Sequence, residues 1–274
     1  MRTYTAGVNT YSYIWQDNIQ RCLAQLAVRR FCVFEGVINS PHMDLESTVA
    51  QRRTLRDFMA GEGLSFSSLN LPSLDTNLAS PFTWVRDSTV SLFKKAIDLA
   101  SDLAAPYLVT VPGRLNPLLP PSRMVREAWL QDTLGQLIPY ARDHGVGLAL
   151  ENVPFAALPN AKDLADFIKA MGNQDILSVC YDVANAHFVG ESFDDGLSCL
   201  EGLVKLVHCS DTTRGAWRHD PVGKGDVPWA GLAQALEVSS YDGPILLEII
   251  DPDPETAIVS SHDALIVQGI FDSR

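Results

Sequence analysis

The chain has 274 residues, with 21 Lys and Arg against 33 Asp and Glu, a net charge of −12 and 46% hydrophobic residues. That apolar fraction excludes an intrinsically disordered chain. The acid excess speaks against a general nucleic-acid binder, which needs clustered Lys and Arg to neutralise phosphates.

The N-terminal stretch lacks an apolar core of signal-peptide length, and no run approaches the ~20 apolar residues of a membrane span. A soluble, cytoplasmic protein with no nucleic-acid and no membrane partner is therefore expected. The five cysteines (Cys22, Cys32, Cys180, Cys199 and Cys209) are odd in number and show no CxxC spacing. They form neither a disulfide framework nor a zinc ribbon. Cys32, Cys180 and Cys209 fall in apolar, strand-like runs and are expected as buried small hydrophobes.

Along the chain, β-rich runs alternate with segments of helical period. Gly7–Tyr13 reads as strand and Asp17–Arg29 as helix; Arg30–Val37 as strand and Asp44–Ala60 as helix. Leu64–Leu71 precedes a helix over Trp84–Leu103, and Pro106–Val111 precedes one over Arg123–Asp143. Pro117 to Pro121 is a short loop. Val146–Glu151 is followed by helix Ala161–Met171, and Ile176–Tyr181 by a short helix near Phe193–Leu200. Leu203–Cys209 is followed by helix Trp229–Val238, and Pro244–Ile249 by helix Pro254–Ile270. These are eight strand–helix units. Near-continuous apolar runs such as Tyr107–Val111 suit strands buried on both faces of a parallel sheet. The prediction is an α/β fold, a (β/α)8 TIM barrel forming one domain over residues 1–274, since such barrels run at about 250 residues. A doubly wound sheet is the alternative, but neither GxGxxG nor a Walker A motif is present.

Barrel chemistry sits where strands end at their C-terminal side. Four consecutive strands end in Glu151, Asp182, His208 and Glu248. Three carboxylates and an imidazole make a mixed oxygen and nitrogen set without thiolate, suited to one divalent ion such as Mn, Co, Mg or Zn. Carboxylates crowded on one rim repel each other unless a cation is present; a lone acid at a strand end is as readily a helix cap or ion-pair partner.

Glu151-Asn152 after an apolar strand, Asp182 with Ala186-His187, and His208 with Ser210-Asp211 resemble the xylose isomerase-like superfamily. So do the Gly223–Trp229 segment and the terminal Leu246-Leu247-Glu248. That superfamily includes sugar-phosphate isomerases and epimerases, ketose 3-epimerases, hydroxypyruvate isomerase, inosose dehydratase and the type IV AP endonucleases. The resemblance to the ketose 3-epimerases implies that Glu151, Asp182, His208 and Glu248 hold the metal. It also implies that Glu151 and Glu248 are the catalytic acid/base pair and that Arg214 contacts substrate. Asn185 stands where the family often has His; Asn hydrogen-bonds a hydroxyl but does not shuttle protons near neutral pH. His187, two residues on and offset from that position, is a further candidate substrate contact. His219 matches a histidine of the endonuclease branch, but Asn185 and Trp217 replace ligands expected there, and the acidic charge also argues against DNA.

The implied reaction is isomerisation or epimerisation of a small ketose or sugar phosphate, by proton abstraction next to a carbonyl through a metal-stabilised enediolate. The alternative is a dehydratase of an inosose- or dehydroshikimate-like cyclic polyol. A non-catalytic sugar-binding barrel is a third reading, though the ligand set is complete. The expected partner is a small sugar or polyol, and the resemblance implies a homo-oligomer. Arg114, after the fourth strand, is a candidate substrate contact as well as a plain loop arginine. His219, in the longer loop Thr212–Asp226, is a second candidate contact. Glu35, ending the second strand, is expected either to bond substrate or a neighbouring ligand or to form a structural ion pair. Tyr11 and Trp15 read as core packing rather than a wall against a sugar face. Gly223-Lys224-Gly225 resembles a short phosphate-binding turn.

Overall fold

Apolar runs of four to six residues persist as strands only when both faces are covered, and closure into a barrel surrounded by helices covers both. In the computed structural model, which describes residues 2–272, β1 (Ala6–Asn9) leads to α1 (Ile19–Val28), and β2 (Val33–Val37) to α2 (Val49–Gly61). Next come β3 (Ser65–Asn70) with α3 (Thr83–Asp102), β4 (Tyr107–Thr110) with α4 (Arg123–Asp143), and β5 (Gly147–Glu151) with α5 (Ala161–Met171). After β6 (Leu177–Asp182) two short helices follow, α6 (Val183–Phe188) and α7 (Phe193–Cys199). Then come β7 (Val204–Cys209), a hairpin of β8 (Asp211–Thr213) and β9 (Ala216–Asp220), α8 (Trp229–Val238), β10 (Ile245–Leu247) and α9 (Pro254–Val267). The barrel closes in the order β1-β10-β7-β6-β5-β4-β3-β2, with every pair parallel. It is the (β/α)8 barrel that the alternation predicts.

Side chains along a strand alternate between the two faces, and here the alternation separates two cores. Phe34, Leu69, Leu108, Leu148, Leu150, Val179, Val207 and Leu247 face outward into the large core shared with the helices. Val109, Ala149, Cys180, Leu206 and Leu246 form a smaller cluster inside the barrel. Gly7 belongs to this inner layer, because a Cβ there would press on the Leu246 side chain and the Val33 carbonyl. The residue two positions further along each strand occupies the next layer up, toward the C-terminal mouth. That layer is polar: Asn9, Glu35, Asn70, Glu151, Asp182, His208 and Glu248, all buried.

Several local expectations change. The first strand stops at Asn9, because the chain turns into a short 3₁₀ helix over Tyr11–Tyr13, and Asn9 Oδ1 accepts from the Tyr11 amide at 2.8 Å across that turn. Trp15 is exposed and Tyr11 only half-buried, so neither is core: the 3₁₀ turn carries them out of the strand direction. Cys32 is exposed, since β2 begins one residue later. Asp182 caps an unpredicted helix, α6, by accepting from the Asn185 amide. The segment Thr212–Asp226 is no plain loop, because most of it forms the β8–β9 hairpin. No helix among the described residues is long and apolar enough to cross a membrane.

Candidate metal centre and its cavity

Glu151, Asp182, His208 and Glu248 stand two residues after the inner-core residues Ala149, Cys180, Leu206 and Leu246. The strand period therefore aims all four into the barrel axis at one level. Each offers a ligand atom, and the four atoms lie within 4.8 Å of one another. Metal–ligand bonds of about 2.0–2.2 Å to carboxylate oxygen and imidazole nitrogen let one ion reach all of them. Two further observations fit a cation. Asp182 Oδ2 is buried and has no hydrogen-bond partner. His208 Nδ1 faces Glu248 Oε2 at 3.1 Å, Glu151 Oε1 at 3.8 Å and Asp182 Oδ2 at 4.0 Å, so its lone pair is aimed at the same point.

The second His208 nitrogen is also occupied: Nε2 lies 3.1 Å from Glu35 Oε2. With an ion bound, a carboxylate there would keep the imidazole proton on Nε2 and leave Nδ1 to ligate, the usual arrangement behind a metal-bound histidine. Glu35 is itself saturated, accepting from Asn9 Nδ2 (2.7 Å), Asn70 Nδ2 (3.0 Å) and Ser68 Oγ (2.6 Å). Asn152 ties β5 to β6 reciprocally: its side chain donates to the Asp182 carbonyl at 2.9 Å and accepts from the Asp182 amide at 2.7 Å. The ligand-bearing ends of those two strands are thereby locked in register.

Burial dominates the electrostatics. It pushes the Asp182 carboxyl up to about 7, with Glu248 adding repulsion and the two histidines opposing. Burial likewise raises Glu151, with Asp182 and Glu35 adding to it and His208 opposing. Burial disfavours the charged form of His208, but Cys180, Glu35 and Glu248 together outweigh it and hold the imidazole well above its ordinary value. Without an ion, protons fill the role of the missing positive charge.

Above the cluster lies a cavity of about 380 Å³. Glu151 and Glu248 line it, whereas Asp182 and His208 are fully buried beneath. Its walls include Asn70, Asn185, His219, Arg114 and Tyr11, with Leu74, Leu115, Pro117, Phe155, Trp217 and Ile250 toward the mouth. A groove of about 420 Å³ beside α1 and α2 lies outside the barrel and contains none of the ligand cluster.

The predicted contacts separate in space. Asn185 lies at the site: its Nδ2 donates to Glu151 Oε1 at 3.3 Å and its Oδ1 accepts from Trp217 Nε1 at 2.6 Å. His219, on β9, reaches the centre with Nδ1 3.5 Å from Glu248 Oε2, 3.9 Å from Asp182 Oδ2 and 3.0 Å from Ser210 Oγ. Arg114 lines the cavity, with Nη1 donating to the Ser73 carbonyl at 3.3 Å. His187 faces away, its Nε2 2.7 Å from Asp226 Oδ1. Arg214 is exposed at the tip of the hairpin and does not line the cavity.

The Gly223-Lys224-Gly225 turn is already filled by the protein's own carboxylate. Gly223 N donates to Asp211 Oδ2 at 2.7 Å and Val227 N to Asp211 Oδ1 at 3.2 Å. Asp211 occupies the place of a phosphate and anchors the hairpin that carries Trp217 and His219. A Cβ at Gly225 would overlap the Thr212 carbonyl and this carboxylate. Gly225→Ala is therefore expected to loosen the hairpin and raise hydrogen–deuterium exchange across residues 211–226. Unchanged protection there would contradict the anchoring role.

Asn9, Ser68 and Asn70 escaped the sequence reading. Asn9 and Asn70 stand on the inward phase of their strands, and counting that phase from Gly7 and Ser68 would have found them. Phe155, Leu74 and Leu115 lie in loops, where no period marks a wall residue.

A family model described as "Xylose isomerase-like TIM barrel" matches residues 32–266. The uncharacterized protein MJ1311 of Methanocaldococcus jannaschii is 24% identical over 249 residues, 88% of this chain and 82% of that protein. A solved D-tagatose 3-epimerase-like protein superposes with a TM-score of 0.83 at 21% identity, covering 96% of each chain. The IolI protein with a bound zinc atom also gives 0.83, at 16% identity, over 98% of this chain and 100% of that one.

Proposed function

Because this chain belongs to the xylose isomerase-like TIM barrel family, we propose that it is a divalent-metal-dependent isomerase or epimerase of a small ketose. In this reading the protein removes a proton from carbon next to a carbonyl. The observation that carries the reading is the division of labour among the four candidate ligands: only Glu151 and Glu248 line the cavity, while Asp182 and His208 stay beneath it. When bound, a divalent ion supplies positive charge where negative charge develops on the substrate oxygens.

The chain's own residues do the rest. Glu151 and Glu248 enter from β5 and from the end of β10, which flank β6 and β7 in the barrel order. Two carboxylates are thus available to take a proton from a carbon and to return one, as epimerisation requires. Asn185 fixes the Glu151 carboxylate from one side and is itself fixed by Trp217, so its amide donates rather than accepts at Glu151. Asn70 and Arg114 offer donors to hydroxyls further up the wall.

The dehydratase reading is favoured by one observation. Although burial opposes its charged form, His219 is raised above its ordinary value by Glu248, Asp182 and Glu151. An imidazolium lining the cavity is a proton donor for a departing hydroxyl.

The test is solvent deuterium wash-in. With metal supplied, a ketose substrate is expected to gain deuterium at the carbon next to its carbonyl, without forming an absorbing enone. Enone formation from a cyclic polyol would select the dehydratase. Absence of exchange across ketoses and cyclic polyols would overturn both readings. Supporting evidence comes from solved structures of similar fold, which include D-psicose 3-epimerase and L-ribulose 3-epimerase.

A further inference from the structure

The cavity has a polar floor and an apolar mouth, and only the floor is explained by proton chemistry on a sugar. We propose, building on the isomerase or epimerase reading, that the mouth is a subsite for an apolar substituent. The substrate would then be a carbonyl-bearing sugar glycoside whose aglycone is aryl or alkyl, not a sugar phosphate.

Three observations carry this. First, Leu74, Leu115, Pro117, Phe155, Trp217 and Ile250 line the outer cavity. Of these, Leu74, Phe155, Trp217 and Ile250 are between 43% and 59% exposed, so apolar surface is left uncovered directly above the charged centre. Second, Phe155 holds φ at 64°, a left-handed conformation that a residue with a bulky side chain avoids. Such strain persists where surrounding structure enforces it, and it collects at ligand sites. Here the Leu115 amide donates to the Phe155 carbonyl at 2.9 Å. The ring is presented edge to face with Trp217, centroids 6.2 Å apart, and Trp217 stands 6.3 Å from His219. The aromatic pair therefore continues unbroken to the centre.

Third, the lining offers a phosphate a single permanent cation. Among the described residues that line the cavity, Arg114 is the only Lys or Arg, and one of its guanidinium nitrogens is spent on the Ser73 carbonyl. The one glycine-rich turn near the site holds Asp211 instead of an anion. The volume of about 380 Å³ also falls in the roughly 300–1,000 Å³ range that takes drug-sized ligands, so there is room beyond a single ring.

The experiment uses the metal-loaded full chain and three probes: methyl 3-ketoglucoside, phenyl 3-ketoglucoside and fructose 6-phosphate. Binding is read by calorimetry and proton abstraction by solvent deuterium incorporation. The phenyl glycoside is expected to bind about tenfold or more tightly than the methyl one, as burial of added apolar groups gives, and the phosphate least. Phe155→Gly removes the ring and suits the left-handed backbone. It is expected to erase most of the phenyl advantage while Tm holds or rises, so loss of fold cannot explain the change.

A phenyl glycoside no tighter than the methyl one would overturn the proposal. So would preference for the phosphate, a phenyl advantage that survives Phe155→Gly, or failure of all three probes to bind. Preferential binding without deuterium incorporation would keep the subsite and sink the proton-abstraction reading. Incorporation without preference would do the reverse.

Discussion

Replacing His208 with Ala is expected to strip the divalent ion from the protein, and Glu151→Gln to weaken its hold. Elemental analysis after gel filtration reads both. The reasoning is geometric. His208 is the only nitrogen among the four candidate ligands, it is fully buried, and its Nδ1 sits 3.1–4.0 Å from one oxygen of each of the three carboxylates. Removing it leaves three crowded carboxylates with less positive charge to neutralise them and opens a hole at the bottom of the site. Loss of a partner behind a metal ligand already costs roughly 10–100-fold in affinity; loss of the ligand itself is expected to exceed that. Full metal occupancy in both variants would sink the metal reading.

The same cluster gives the sign of the pH dependence. A carboxylate must lose its proton before it ligates. Because burial pushes Asp182 up to about 7 in the ion-free protein, proton and cation compete there near neutrality. Apparent metal affinity is therefore expected to fall as pH drops through that value, in competition titrations on either side of it. A flat profile would mean that Asp182 is not a ligand.

Much of this was legible in the sequence because a barrel writes its site into strand phase. Ala149-x-Glu151, Cys180-x-Asp182, Leu206-x-His208 and Leu246-x-Glu248 each place a small or apolar inner residue two positions before a polar one. That period is the same one that separates core from wall. Where period fails, so did the reading. Tyr11 and Trp15 follow an apolar strand closely enough to pass for its continuation. Only the turn after Asn9, whose side chain accepts from the Tyr11 amide, takes them off the strand. Gly223-Lys224-Gly225 has the composition of an anion turn, and its backbone does bind an anion. The anion is Asp211, thirteen residues before Lys224 and invisible to any local motif. Arg214 matched by position along the chain, but the hairpin turns it outward. Phe155 had no sequence signature at all, because nothing in a loop predicts a left-handed phenylalanine.

Glu35, expected either to bond substrate or a neighbouring ligand or to form a structural ion pair, lies 3.1 Å from Nε2 of the candidate ligand His208, and its replacement by Gln separates the consequences. Burial alone would raise this carboxyl, yet His208, Ser68 and Asn70 outweigh burial and hold it below the ordinary carboxylate value. It is therefore ionised. One oxygen accepts from Asn9 and Asn70, the other from Ser68 and His208. A glutamine has only one acceptor oxygen. Whichever way its amide turns, the NH₂ group confronts two donors. If it faces His208, the imidazole must move its proton to Nδ1 to accept, and that proton then blocks the nitrogen aimed at the metal.

Glu35→Gln is thus expected to lower metal affinity by roughly 10–100-fold and to destabilise the ion-free fold by about 1–3 kcal/mol, the cost of unsatisfied buried donors. For a chain of this size that is a Tm decrease of about 2–4 °C per kcal/mol. The depressed carboxyl adds stability that is present above its unfolded pKa and is lost as pH falls through the folded one. The stability gap between wild type and Glu35→Gln should therefore narrow in acid. Metal titration and melting of the ion-free protein read the two effects separately, and the imidazole ¹⁵N shifts of His208 report which nitrogen carries the proton. Wild-type metal affinity with an unchanged Nε2 proton would show that Glu35 supports the barrel without setting the histidine's tautomer.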